Sequence, residues 1–134
     1  MLVGGLVRPE IAAAEIHVTD AWIRWMPSNL PMAGYLTLIN EGSVAQVLIA
    51  ASSPEFGETG MHQTVRHEGL MSMRVVRSIE IKPQTSVQFA RAGYHLMLMR
   101  PRHALKIGDQ VQITLQFSNG ASLLTDFVVR EDVQ

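Results

Sequence analysis

The sequence predicts an all-β fold, a Greek-key sandwich or barrel of about eight or nine strands. Three observations carry that prediction. Short runs rich in β-formers alternate apolar and polar residues, turn residues punctuate them at regular spacing, and few segments have a helical period.

In chain order, residues 16–18 and 21–25 read as one or two strands. Met26-Pro27-Ser28-Asn29-Leu30-Pro31 ends them, and its two prolines make a loop. Residues 33–40 alternate and favour a strand, Glu41-Gly42-Ser43 turns the chain, and 44–51 form the next strand. A loop over 52–57 leads to 59–65, which pairs with 70–76 as a hairpin across Arg66-His67-Glu68-Gly69. Turns at 83–85 and 91–93 flank a strand over 86–90, and 94–99 follows. After a longer connection over 101–108, strands 109–117 and 123–130 close the chain as a hairpin over Ser118-Asn119-Gly120.

A length of 134 residues suits a single domain whose core needs no metal or disulfide staple. A hydrophobic content of 47% with 17% charged residues fits a globular protein. The net charge of −1 gives no reason to expect nucleic acid or an anionic membrane as partner. No apolar run approaches the ~18 residues of a spanning helix, so no membrane span is expected. The absence of cysteine excludes disulfides, thiolate catalysis, cysteine-based zinc and iron–sulfur sites, and the His-and-Cys ligand set of a blue-copper electron carrier. There is no nucleophile motif, Gly-rich phosphate loop or carboxylate pair, so an enzyme is not expected.

Residues 1–14 combine a short apolar run, Arg8-Pro9-Glu10 and Ala12-Ala13-Ala14. They read either as the remnant of an export signal or as a disordered extension, with the single domain spanning 15–134. Export would place the chain in the periplasm or otherwise outside the cytoplasm.

Chemistry concentrates in Gly93-Tyr94-His95-Leu96-Met97-Leu98-Met99. With a period of two, Tyr94, Leu96 and Leu98 share one face while His95, Met97 and Met99 share the other. Imidazole and thioether are borderline and soft ligands, and thioether selects Cu(I) over zinc, magnesium or calcium. Of eight methionines, five (Met61, Met71, Met73, Met97, Met99) fall within one 39-residue window. Ten residues separate His62 from Met73, twenty-one separate Met73 from His95, and one separates His95 from Met97. The first interval spans the hairpin, so His62 and Met73 can sit side by side. His95 and Met97 lie about 7 Å apart along one strand face. Four such groups at one end of a sandwich would form a two-nitrogen, two-sulfur site for Cu(I). A core role stays open, because Met is an adaptable filler and Met71 and Met73 alternate with Ser72 and Arg74 as core residues would. His67 and His103 read as solvated loop residues, and His17 as a surface residue of the first strand. A cut after Ala14 would place His17 third in the chain, and the new amino terminus Glu15-Ile16-His17 could then hold Cu(II) in a square plane.

The spacing resembles the H(M)-x10-M-x21-H-x-M signature of the periplasmic PCu(A)C copper chaperones. Ala21-Trp22-Ile23-Arg24, the run Met32-Ala33-Gly34-Tyr35-Leu36-Thr37-Leu38-Ile39-Asn40 and the closing segment from Leu105 to Phe117 are also similar to that family. The likeness covers about residues 15–130. It implies a cupredoxin-like β-sandwich with Cu(I) at the solvent edge, held by His62, Met73, His95 and Met97. It also implies delivery to an acceptor, the CuA centre of cytochrome c oxidase or a Sco-type protein, by a monomeric carrier. Two departures stand out. Gln63-Thr64 replaces an acidic-Met pair, and Arg100 stands where the family usually has glycine, adding a cation near the site. Met61, Met71 and Met99 would pack around the ligands or shield and relay the ion. The competing reading is a Met-rich β-sandwich that binds protein without a metal.

Overall fold

The computed structural model describes residues 15–27 and 30–132. The expectations for residues 1–14 therefore lie outside the described residues, as does the middle of the Met26–Pro31 loop. Ten strands are formed, with no helix among the described residues: β1 (Ile16–Arg24), β2 (Met32–Asn40), β3 (Gln46–Ser52), β4 (Phe56–His67), β5 (Leu70–Val75), β6 (Ile79–Ile81), β7 (Thr85–Gln88), β8 (Tyr94–Pro101), β9 (Gln110–Phe117) and β10 (Ser122–Arg130). The expected count of eight or nine misses β6. Its three residues are too few to show alternation, and only their pairing with β3 makes them a strand.

The hydrogen-bonded order is β5-β4-β8-β2-β1-β10-β9-β3-β6, with β7 also on β2. All pairings are antiparallel except β1 with β10, which brings the two ends of the domain together in parallel. This one sheet rolls so that its inner face closes on itself, with β3 against β4, giving a cupredoxin-like β-sandwich. The inner face carries Ile23, Leu36, Leu38, Leu48, Leu96 and Leu98 together with Ile113, Leu115, Phe117 and Phe127, each almost wholly buried. Burying each such side chain contributes about 1.5–3 kcal/mol. Asn40, the polar end of β2, is also buried, yet every polar atom it brings has a partner. Its Nδ2 donates to the carbonyls of Val44 (2.9 Å) and Ile81 (3.0 Å), and its Oδ1 accepts from the Gly42 amide (2.9 Å). That ties the end of β2 to β6.

Local irregularities set which side chains reach the outer face. Between Thr19 and Trp22 β1 holds one residue more than β2, with Asp20 at φ 53°. This bulge flips the alternation, so that Ile16 and later Ile23 both point inward and Trp22 and Arg24 point outward. Residues 16–24 are therefore one bulged strand. The β4–β5 hairpin closes through Glu68-Gly69, both with positive φ (52° and 83°), as a tight two-residue turn requires.

Arg100 also adopts a left-handed backbone, φ 56°, which explains why glycine suits this position. Its guanidinium reaches the Glu58 carboxylate at 3.1 Å, on an exposed surface. Arg100→Gly should relieve about 1 kcal/mol of backbone strain and lose an exposed pair worth about 0–1 kcal/mol. Urea unfolding should show unchanged or higher stability. A loss greater than about 1 kcal/mol would refute the strain assignment.

Candidate metal centre

On β8 the buried residues Leu96 and Leu98 face the core, so His95, Met97 and Met99 face outward. Pairing registers extend that outer face sideways. His62 on β4 is the direct partner of His95, and Gly60 the partner of Met97. Met73 on β5 is the partner of Thr64, two residues along from His62. Residues directly opposite in an antiparallel pair share a face. His62, Met73, His95 and Met97 therefore stand on one face of three adjacent strands, with Ala33 of β2 beside Met97.

The two imidazoles meet edge to face, with ring centroids 5.8 Å apart at 69°. His95 is 3% exposed, and its Nδ1 lies 3.4 Å from the Gly93 carbonyl. With Nδ1–H donating there, Nε2 carries the free lone pair, and this nitrogen is buried without a protein partner. Nδ1 of His62 is equally buried and unpartnered. Buried polar atoms are nearly always satisfied, so an orphan nitrogen on each of two neighbouring imidazoles marks a place where an ion or a water would bind. Met73, His95 and Met97 line a cavity of about 400 Å³, while His62 stands outside its lining.

Burial holds the His95 imidazole below its ordinary value of 6.5; its bond to Gly93 opposes this, and the neighbouring His62 adds to it. The neutral form, the one that can ligate a metal, is thus favoured. In the metal-free chain the unfolded state takes up the proton first as pH falls below about 6.5. Stability from this residue is present above that pH, declines as pH falls towards the lower folded value, and levels off below it. Urea unfolding of metal-free wild type and His95→Gln from neutral to mildly acid pH checks this. Equal pH slopes in the two proteins would refute it.

The remaining methionines differ from one another. Met61 is 4% exposed and faces the core opposite Leu96, so it neither shields nor relays an ion at this face. Met71 and Met73 are not core residues, at 54% and 60% exposure. They lie on the edge strand of a hairpin arm that no described residue covers, and the Met71 sulfur accepts from the Arg66 guanidinium at 3.6 Å. Met99 is half-buried on the outer face opposite Glu58. The cavity also contains residues the sequence reading missed: Met26, Tyr35, Arg24 and Arg91. They come from separate elements, and only the lateral strand order brings them beside His95. Arg100 is absent from the lining, so the cations next to the groove are Arg24 and Arg91.

The other histidines lie elsewhere. His17 pairs with Glu41 (3.1 Å), His67 is exposed at the end of β4 beside the hairpin turn, and His103 is held by Glu55 (2.5 Å), which raises its pKa. Ala14, on which a Cu(II) site at His17 depends, is outside the described residues. Among the described residues no three His, Asp or Glu side chains converge as a metal site.

Comparison with known proteins bears on the family and the fold. The family model described as "Putative lipoprotein LpqE-like" matches residues 16–129. "Uncharacterized protein RP573" of Rickettsia prowazekii is 30% identical over 128 residues, 90% of this chain and 70% of that protein. "Putative lipoprotein Lxx21020" of Leifsonia xyli is 28% identical over 85% of this chain and 69% of its own length. Among solved structures, the copper-bound PCuAC domain from PmoF2 superposes with a TM-score of 0.74 at 20% identity, covering 90% of this chain and 97% of that domain. The Cu(I) form of DR1885 from Deinococcus radiodurans gives 0.70 at 28% identity, covering 86% and 78%.

Proposed function

Since the chain belongs to the LpqE-like family, with a domain of PCuAC type, we propose that it is a copper chaperone acting outside the cytoplasm. Its cargo is Cu(I), and its ligands are His62, Met73, His95 and Met97. The observation that carries this reading is the pair of buried, unpartnered imidazole nitrogens on His62 and His95, flanked on the same face by two thioethers. Such donors are neutral and soft, which suits Cu(I) and leaves its charge uncompensated.

The division of exposure supports carriage over permanent storage. His95 is buried, its orientation fixed by Gly93, and can hold one coordination position in place. Met73 sits at the open edge of the sheet, where an acceptor's ligand can replace it. Each transfer step is then a ligand exchange with no change of oxidation state. The acceptor we propose is a protein of the CuA or Sco class, in keeping with the resemblance. No helix among the described residues is long and apolar enough to cross a membrane.

A competition titration of the purified chain against a chromophoric Cu(I) chelator tests the reading. A single tightly held equivalent is expected, and binding no better than background would overturn it. A second reading rests on one observation: all six residues of edge strand β5 are exposed, including Leu70, Met71, Met73 and Val75. A protein-interaction module would use that edge. It would bind its partner equally well after metal removal, whereas carriage requires copper-dependent transfer.

A further inference from the structure

The copper groove is bordered by charges that the ligand set does not use. Arg24, at the end of β1, and Arg91, in the turn before β8, both line the cavity shared by Met73, His95 and Met97. Both reach the same carboxylate oxygen. Arg24 Nε lies 3.2 Å from Asp132 Oδ2, and Arg91 Nη2 pairs with the same oxygen. A third guanidinium, on Arg130, lies over the Trp22 ring, 5.8 Å from its centroid, on the strand next to Arg24. Two arginines thus share one acid here, with a third guanidinium on the neighbouring strand.

The carboxylate neutralises this corner only in part. Arg24 Nε is buried, and although Asp132 is near enough for an ion pair it is not aligned for a hydrogen bond, so the donor is left unsatisfied. Asp132 follows the last strand and is not held by the ladder of the sheet. A carboxylate that could approach the guanidinium in its own plane would satisfy the Arg24 fork better than Asp132 does.

We propose that Arg24 and Arg91 form a carboxylate-binding site at the mouth of the copper groove, filled in the free protein by the chain's own Asp132 and taken over by an acidic segment of the copper acceptor. The proposal rests on the copper reading and adds the chemistry of the partner. Neutral ligands leave the bound ion's positive charge in the groove, so the loaded chain attracts an acidic partner more strongly than the emptied one. By linkage, docking and cargo strengthen each other, and release of copper weakens the docked complex. Asp132 then returns to its arginines.

The test uses the full chain loaded with Cu(I) and two synthetic dithiol acceptors, Glu-Glu-Cys-Gly-Gly-Cys-Glu-Glu and its lysine counterpart. Stopped-flow transfer rates are recorded at low and high salt. At low salt the acidic peptide should take copper at least about 10-fold faster, with most of the advantage lost at high salt. Arg24→Gln and Arg91→Gln should each reduce that advantage. Asp132→Asn should increase the transfer rate, because the internal competitor is gone.

Equal rates for the two peptides would overturn the proposal. So would an Asp132→Asn protein with a lower melting temperature and no faster transfer, since the contact would then only anchor the segment after β10. Cu(I) affinity is titrated for every variant, which keeps docking apart from cargo binding. A wild type that holds no Cu(I) would refute the cargo reading alone. The carboxylate site is then read from salt-dependent binding of the acidic peptide, with serine in place of cysteine, to the metal-free chain; no binding refutes the site as well.

Discussion

Replacing His95 by alanine should lower Cu(I) affinity by more than about 100-fold, beyond the ~10–100-fold that follows when only an outer partner of a metal ligand is disturbed. The same change should leave the metal-free fold close to its original stability. Two opposing effects produce that balance. The ring is 3% exposed, so its removal loses packing contacts. Its Nε2, however, is buried without a partner, and an orphaned polar atom costs about 1–3 kcal/mol in the folded state. Removing it relieves that cost. A structural histidine with both nitrogens satisfied would behave differently, and its loss would destabilise the chain. Chelator competition and urea unfolding on the same preparation read both quantities. Unchanged affinity would refute the ligand assignment, and a large loss of metal-free stability would make His95 a core residue.

Much of this arrangement can be read in the sequence, because alternation reports which side chains share a face. The run from Tyr94 to Met99 separates leucines from ligand-type residues, and the structure keeps them on opposite sides of β8. The turn glycine at Gly69 marks the hairpin that sets Met73 next to the His62 strand. Alternation does not report what covers a face. Met71 and Met73 alternate with polar neighbours as core residues would, yet their arm extends past the sandwich and all of β5 is exposed. Met61 shows the converse. It adjoins His62 in sequence, and for that reason points to the opposite side, into the core.

Bulges and lateral order were also hidden. One added residue near Asp20 reverses the parity of β1 and thereby brings Arg24 to the face of His95 and Met97. Arg24, Arg91 and Met26 reach one cavity from three separate segments, and no local spacing encodes that meeting. The left-handed backbone at Arg100 was visible only as a missing glycine.

The face separation of β8 makes a second strong prediction, one residue away from the first. Leu96→Ala should reduce folding stability by about 3–5 kcal/mol while Cu(I) affinity, measured cold where the chain remains folded, changes by less than about 10-fold. Leu96 is fully buried, and its strand partners are Gly34 on β2 and Met61 on β4. A Cβ at Gly34 would already stand 3.4 Å from the Leu96 Cβ, so the packing around this leucine is close on the β2 side. Strands cannot readily move in to fill the space, because their spacing is fixed by the hydrogen-bond ladders on both sides of β8. Most of the cavity would therefore persist, which places the cost in the upper part of the usual range. The backbone that presents His95 and Met97 is held by those same ladders and stays in place. Loss of copper binding together with stability would mean that the ligand geometry depends on core packing. A stability loss below about 1 kcal/mol would mean that the sandwich can collapse around β8. The predicted combination, stability lost at Leu96 and copper lost at His95, would establish that adjacent residues of one strand serve the core and the cargo separately.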